Sequence, residues 1–174
     1  MALKLFPNAK EITESMAVYN TVRKHLQKDF PLNDSNITCL VVGDGYKPRT
    51  GTLFAFRTNW NVISVDPNML KNKLTTFETD KINNIDRLSI FKCRIEQLNH
   101  LPNLIDSKKV LVVCVHSHAK LTACVEKLKG KEITIISMPC CVPDDLKIEP
   151  DISYDDWGIH SEKRRINIYK NIGV

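Results

Sequence analysis

One stretch, Ile37 to Asp66, limits what this chain can fold into: ITCLVVGDGYKPRTGTLFAFRTNWNVISVD. An apolar run, Ile37 to Val42, enters the turn Gly43-Asp44-Gly45. A short helical stretch follows from Gly51 to Arg57, and a second apolar run, Val62 to Val65, ends on the acid Asp66. Strand, glycine turn, helix, strand and acid make half of a nucleotide-binding unit. The acid stands 23 residues after Gly43, close to the spacing of about 20 expected for a carboxylate that accepts ribose hydroxyls. The third glycine, Gly51, comes too late for G-x-G-x-x-G, which disfavours a nicotinamide dinucleotide enzyme. There is no Gly-Lys-Ser/Thr either, so the pattern supports binding of a nucleoside more than of a bare phosphate chain.

The remaining chain repeats the alternation. Residues 9–28 read as an amphipathic helix, with Ile12, Met16, Tyr19, Val22 and Leu26 at spacings of three and four. Pro31 to Asn36 is turn-rich. Further strands are expected at Leu88–Lys92, Val110–Val115, Ile133–Ser137 and Arg165–Tyr169, with a short edge strand inside Asp144–Gly158. A helix is expected over Leu121–Lys129, a short one over Asn68–Leu74, a polar loop over Thr75–Asp86, and an irregular or briefly helical piece over Ile95–Leu104. The pattern implies an open, mostly parallel α/β sheet with helices on both faces. At 174 residues, one domain is the expectation. In such sheets ligands bind beyond the carboxyl ends of the strands. Those ends here are Gly43–Gly45, Asp66, Cys93-Arg94, His116-Ser117-His118 and Pro139-Cys140-Cys141.

Composition narrows the setting. No apolar run reaches the ~20 residues of a membrane span. MALKLFPNAKEITE carries no apolar leader, so an intracellular, cytoplasmic protein is expected. The six cysteines include no C-x-x-C, so they are expected to be mostly small buried thiols rather than metal ligands. A net charge of +5 permits an acidic partner without requiring one.

The set VVGDGYKPRTG, VISVDP and FKCRIEQL resembles the first three motifs of class I, Rossmann-like S-adenosylmethionine-dependent methyltransferases. The later VLVVCVHSHAKLTACVEKL and ITIISMPCC are similar to a subset with a Pro-Cys-Cys after strand five, which includes RNA-modifying members. The resemblance covers Ile37 to Cys141. It implies S-adenosylmethionine as cofactor, held by Gly43, Asp44, Gly45, Asp66, Cys93 and Arg94. Val41 stands where the family commonly has an acid, and Asp44 is the candidate to replace it at the ligand's amino group. His116, His118 and Cys140 become the candidate catalytic residues beside the transferred methyl. Ser117 has a second reading as a helix N-cap.

The implied acceptor is RNA or another nucleic acid, and oligomeric state is left open. Lys47, Arg49 and Lys163-Arg164-Arg165 are a candidate phosphate rim. Tyr46 and Trp157 are candidate stacking surfaces, Trp157 also reading as an anchor packed on the sheet edge. Neither an Asp/Asn-Pro-Pro-Tyr/Phe motif nor a Lys-Asp-Lys-Glu set is present. The alternative is therefore a degenerate methyltransferase-like domain that binds RNA or a partner without catalysis.

Overall fold

A computed structural model describes residues 5–69 and 85–173. The expected short helix at Asn68–Leu74 and loop at Thr75–Asp86 lie largely outside the described residues.

Among the described residues seven strands form one sheet: β1 (Ile37–Val42), β2 (Asn61–Val65), β3 (Leu88–Phe91), β4 (Lys109–Val115), β5 (Glu132–Met138), β6 (Ile152–Asp155) and β7 (Arg165–Ile172). Their order is β3-β2-β1-β4-β5-β7-β6. β1 to β5 are parallel, whereas β7 runs antiparallel to both β5 and β6. All six residues of β1 are buried, as a strand covered on both faces requires. The chain moves outward from β1 through β2 to β3, then returns to the other side of β1 as β4. That reversal opens a crevice above β1 and β4, where open α/β sheets bind ligands.

One face is covered by α1 (Ala9–Thr21, continued as a π-helical turn over Val22–Leu26) and α2 (Arg49–Arg57). The other carries α3 (Leu121–Lys127) and two 3₁₀ turns, Ile95–Gln97 and Leu101–Leu104. The expected α/β layering is present. On the α1–α2 face Trp60 is fully buried, stacked on Phe54 at 5.7 Å and edge-on to Phe30 at 6.1 Å. Its indole N–H donates to the Pro31 carbonyl at 2.8 Å, the partner a buried Trp needs.

Tyr19, Val22 and Leu26 are buried as expected and Met16 packs against the core, but the buried stripe is wider than expected and leaves Ile12 out. Ile12 is 44% exposed, while Glu14, Ser15, Ala17, Val18 and Tyr19 are buried. Polar residues join the buried face because they have partners inside: Ser15 meets the Thr50 hydroxyl at 3.0 Å, and the Thr21 hydroxyl meets Tyr154 at 2.8 Å. A hydropathy period cannot register matched polar pairs. No described helix is long and apolar enough to cross a membrane.

Candidate functional site

Strand register brings the candidate residues together. Val42 pairs with Val65, and β4 lies along the other side of β1, so β1, β2 and β4 deliver Gly43, Asp66 and His116 to one edge. The Gly43 N–H donates to the Val65 carbonyl at 2.8 Å, and the Asp66 N–H to the Phe91 carbonyl at 3.1 Å. A cavity of about 450 Å³ opens there, lined by Val42-Gly43, Val65–Asn68, Cys93–Glu96 and His116–Ala119. Gly43, Asp66, Cys93, Arg94, His116 and His118 thus share one mouth.

Gly43 has φ +78°, a conformation that favours glycine. A Cβ there would sit 2.4 Å from the Ser117 hydroxyl oxygen and 2.6 Å from its Cβ. The turn after β1 and the loop after β4 therefore touch backbone to side chain. Ser117 does not cap α3. Its hydroxyl accepts from the Ala119 N–H at 3.1 Å, closing a local turn, and α3 starts later behind Lys120.

Asp66 is 7% exposed. One carboxylate oxygen accepts the Gly45 N–H at 2.9 Å and the other the Asn68 N–H at 2.7 Å. Each oxygen keeps acceptor capacity for a further donor.

Asp44 departs from its expected role at a ligand's amino group. Its carboxylate turns inward and accepts from the Thr50 N–H, the Gly51 N–H and the Ser64 hydroxyl, each at 2.8 Å. It caps the first turn of α2, where Pro48 offers no side-chain cap. The third glycine belongs to this arrangement: a Cβ on Gly51 would lie 3.1 Å from both the Asp44 oxygen and the Ser64 Cβ. Burial pushes the Asp44 carboxyl up to about 6, although the donors from Gly51, Ser64 and Thr50 pull against it.

His116 adopts φ +50°, uncommon outside glycine. Its Nε2 lies 3.0 Å from Glu14, a buried acid of α1 that sequence reasoning missed. Its buried Nδ1 has no hydrogen-bond partner among the described residues. Lys10 stands 3.8 Å from the same Glu14 oxygen. His116 is therefore fastened to α1, and only His118 of the pair remains directed elsewhere. His118 Nε2 lies 3.2 Å from the Cys141 sulfur, which is 3.5 Å from the Cys140 sulfur. Burial works to raise the Cys140 thiol, but hydrogen bonds from Cys141, His118 and Val142 outweigh it and bring it down to about 7.

The rim residues divide. Arg49 pairs with Glu11 and donates to the Leu5 carbonyl at 2.9 Å, so it braces α1 instead of facing a ligand. Tyr46 is 54% and Trp157 77% exposed, so Trp157 is not packed on the sheet edge. The Arg164 guanidinium lies 4.3 Å above the Trp157 ring. Lys163, Arg164 and Arg165 border a second cavity, of about 400 Å³, with Cys140 and Cys141 on its other wall.

No protein-family model matches the chain, and no curated protein matches it in sequence. Solved structures do match in shape. A mutant of MtNAS in complex with S-adenosylmethionine superposes with a TM-score of 0.57 at 11% identity, covering 93% of this chain and 63% of that one. MtNAS in complex with MTA and tNA gives 0.54 at 10% identity, covering 90% and 60%. Coclaurine N-methyltransferase bound to N-methylheliamine and SAH gives 0.43 at 15% identity, covering 76% and 39%. The chain spans about 60% of the length of the MtNAS chains. The fold is the Rossmann-like α/β fold that the motifs implied, shared in shape with MtNAS.

Proposed function

We propose that the chain is an S-adenosylmethionine-dependent methyltransferase acting on a nucleic acid, RNA first among these. The convergence of Gly43, Asp66, Cys93 and Arg94 on one cavity carries the reading. Its volume of about 450 Å³ falls in the range of about 300–1,000 Å³ typical of small-molecule sites. A similarly shaped neighbour, MtNAS, has been solved with S-adenosylmethionine.

The residues fit such a cofactor. Asp66 retains acceptor capacity for ribose hydroxyls. Gly43 lets a ligand approach the backbone closely. Ile95, 1% exposed, forms an apolar floor between Arg94 and Glu96 for a flat base. When bound, the cofactor supplies an electrophilic sulfonium methyl, for which catalysis rests chiefly on aligning the acceptor. Here His116, fastened to Glu14, acts as a positioning residue that holds the loop after β4 in place. His118 and Cys140 border the acceptor side. A base is needed only where the acceptor atom is not already nucleophilic.

The RNA acceptor is supported by the surface beside Cys140. Lys163 and Arg164 offer phosphate contacts, whereas Arg165 is paired with Asp155 at 2.6 Å. The exposed Trp157, with Arg164 over its ring, suits stacking of an unpaired base.

Calorimetry with S-adenosylmethionine and its demethylated product tests the first half; saturable binding of either is expected. Incorporation of a labelled methyl group into total RNA tests the second. No binding removes the enzyme reading. Binding with label only in protein or small molecules removes RNA and leaves the cofactor assignment standing.

A further inference from the structure

We propose that His118, Cys140 and Cys141 bind a single thiophilic closed-shell cation, with zinc(II) the first choice. Their ligand atoms come from two segments far apart in sequence. β4 and β5 are parallel neighbours with Val115 opposite Met138. The loop leaving one strand and the turn leaving the other therefore meet two to three residues later. One ring nitrogen and two sulfurs gather within 4.8 Å of one another.

The spacing is close to that of a metal site. Tetrahedral zinc with sulfur at about 2.3 Å and nitrogen at about 2.0–2.1 Å sets a sulfur–sulfur edge of about 3.8 Å and a sulfur–nitrogen edge of about 3.5 Å. The observed edges are 3.5 Å between the sulfurs and 3.2 Å from Cys141 to His118. Small side-chain rotations would supply the few tenths of an ångström on those two edges, and the third, His118 to Cys140, lies within 4.8 Å.

The donor set selects the ion. Two thiolates and an imidazole suit zinc or another soft cation, and they are poor ligands for magnesium or calcium, which take oxygen. Two thiol protons leave as the ion binds, and His118 enters through its neutral nitrogen. Three protein ligands leave one position open, the pattern of catalytic rather than structural zinc. His118 lines the cavity at Asp66, and the two cysteines line the neighbouring one beside Lys163 and Arg164. An ion held by all three stands between them. The proposal is independent of the methyltransferase reading, because it is tested without any nucleoside present.

The reduced full-length protein, stripped with chelator, would be titrated with cobalt(II) and then with zinc(II). One equivalent of cobalt is expected, with sulfur-to-cobalt charge-transfer absorption and the intense visible bands of tetrahedral cobalt, both lost when zinc displaces it. Cys140→Ser, Cys141→Ser and His118→Ala should each weaken zinc binding by more than about a hundredfold. His100→Ala and His160→Ala, which remove exposed imidazoles, should leave it unchanged. In the unsubstituted protein, zinc should also protect Cys140 and Cys141 from alkylation, as mapped by mass spectrometry. Cobalt spectra without charge-transfer absorption, or equal alkylation of both cysteines with and without zinc, would overturn the proposal.

Discussion

The Gly45 N–H donates to the Asp66 carboxylate at 2.9 Å, so the acid that ends β2 also fastens the turn that leaves β1. Turn and acid are one unit. Asp66→Ala removes both the ribose acceptor and the tie on the turn. Loss of two charge-assisted hydrogen bonds should weaken S-adenosylmethionine binding by on the order of a hundredfold or more. Calorimetry reads this directly, and unchanged affinity would remove Asp66 from the site.

Asp44 makes stability depend on pH in an unusual direction. Its folded pKa of about 6 lies above the ordinary 3.8, so the folded state binds the proton more tightly than the unfolded chain does. Its stabilising contribution is present below about pH 4 and is lost as pH rises through about 6. Asp44→Asn removes this term. The stability gap between wild type and variant should therefore be larger at pH 4 than at pH 7, by on the order of 3 kcal/mol. Denaturant unfolding at both values measures it, and a gap that does not change with pH contradicts the burial argument.

Gly43→Ala should be destabilising for two separable reasons, the positive φ and the contact with Ser117. Together they should cost about 1–3 kcal/mol or more. Adding Ser117→Gly removes the hydroxyl and Cβ and should restore the steric part, leaving the backbone part. Additive effects in that double-mutant cycle would argue against contact between the two loops.

Glu14→Ala leaves the partly buried His116 ring without its partner on α1. A loss of about 1–3 kcal/mol is expected by thermal or denaturant unfolding, while Glu14→Gln, which preserves an acceptor, should recover much of it. No loss in Glu14→Ala would mean that the Glu14–His116 bond contributes nothing.

Much of the architecture was legible in the sequence. β1 matches its expected bounds, and α2, β2 and β4 begin within two residues of theirs. Continuous apolar runs bounded by turns leave little choice in a parallel sheet. Gly43 and Asp66 were legible because both lie at the ends of such runs. Asp44 was not, since nothing local distinguishes a carboxylate facing a ligand from one capping a helix that lacks its own cap. Glu14 was hidden by the opposite problem: an acid on a buried face looks like an error of phase until its partner, 102 residues later, is seen. The His118–Cys140–Cys141 cluster has no sequence spacing to betray it, because the register of β4 against β5 creates it.

The reversed strand β7 also bears on how the chain is made. It is wedged between β5 and β6 and pairs with both, so β5 lacks its outer neighbour, and β6 is unpaired, until residues 165–172 exist. During synthesis the five parallel strands emerge first, with the outer border of β5 unpaired and β6 tethered but unattached. Closure of this side of the sheet waits for β7, which follows β5 and β6 in the chain, and until it pairs β5 presents an open hydrogen-bonding border of the kind that invites intermolecular pairing.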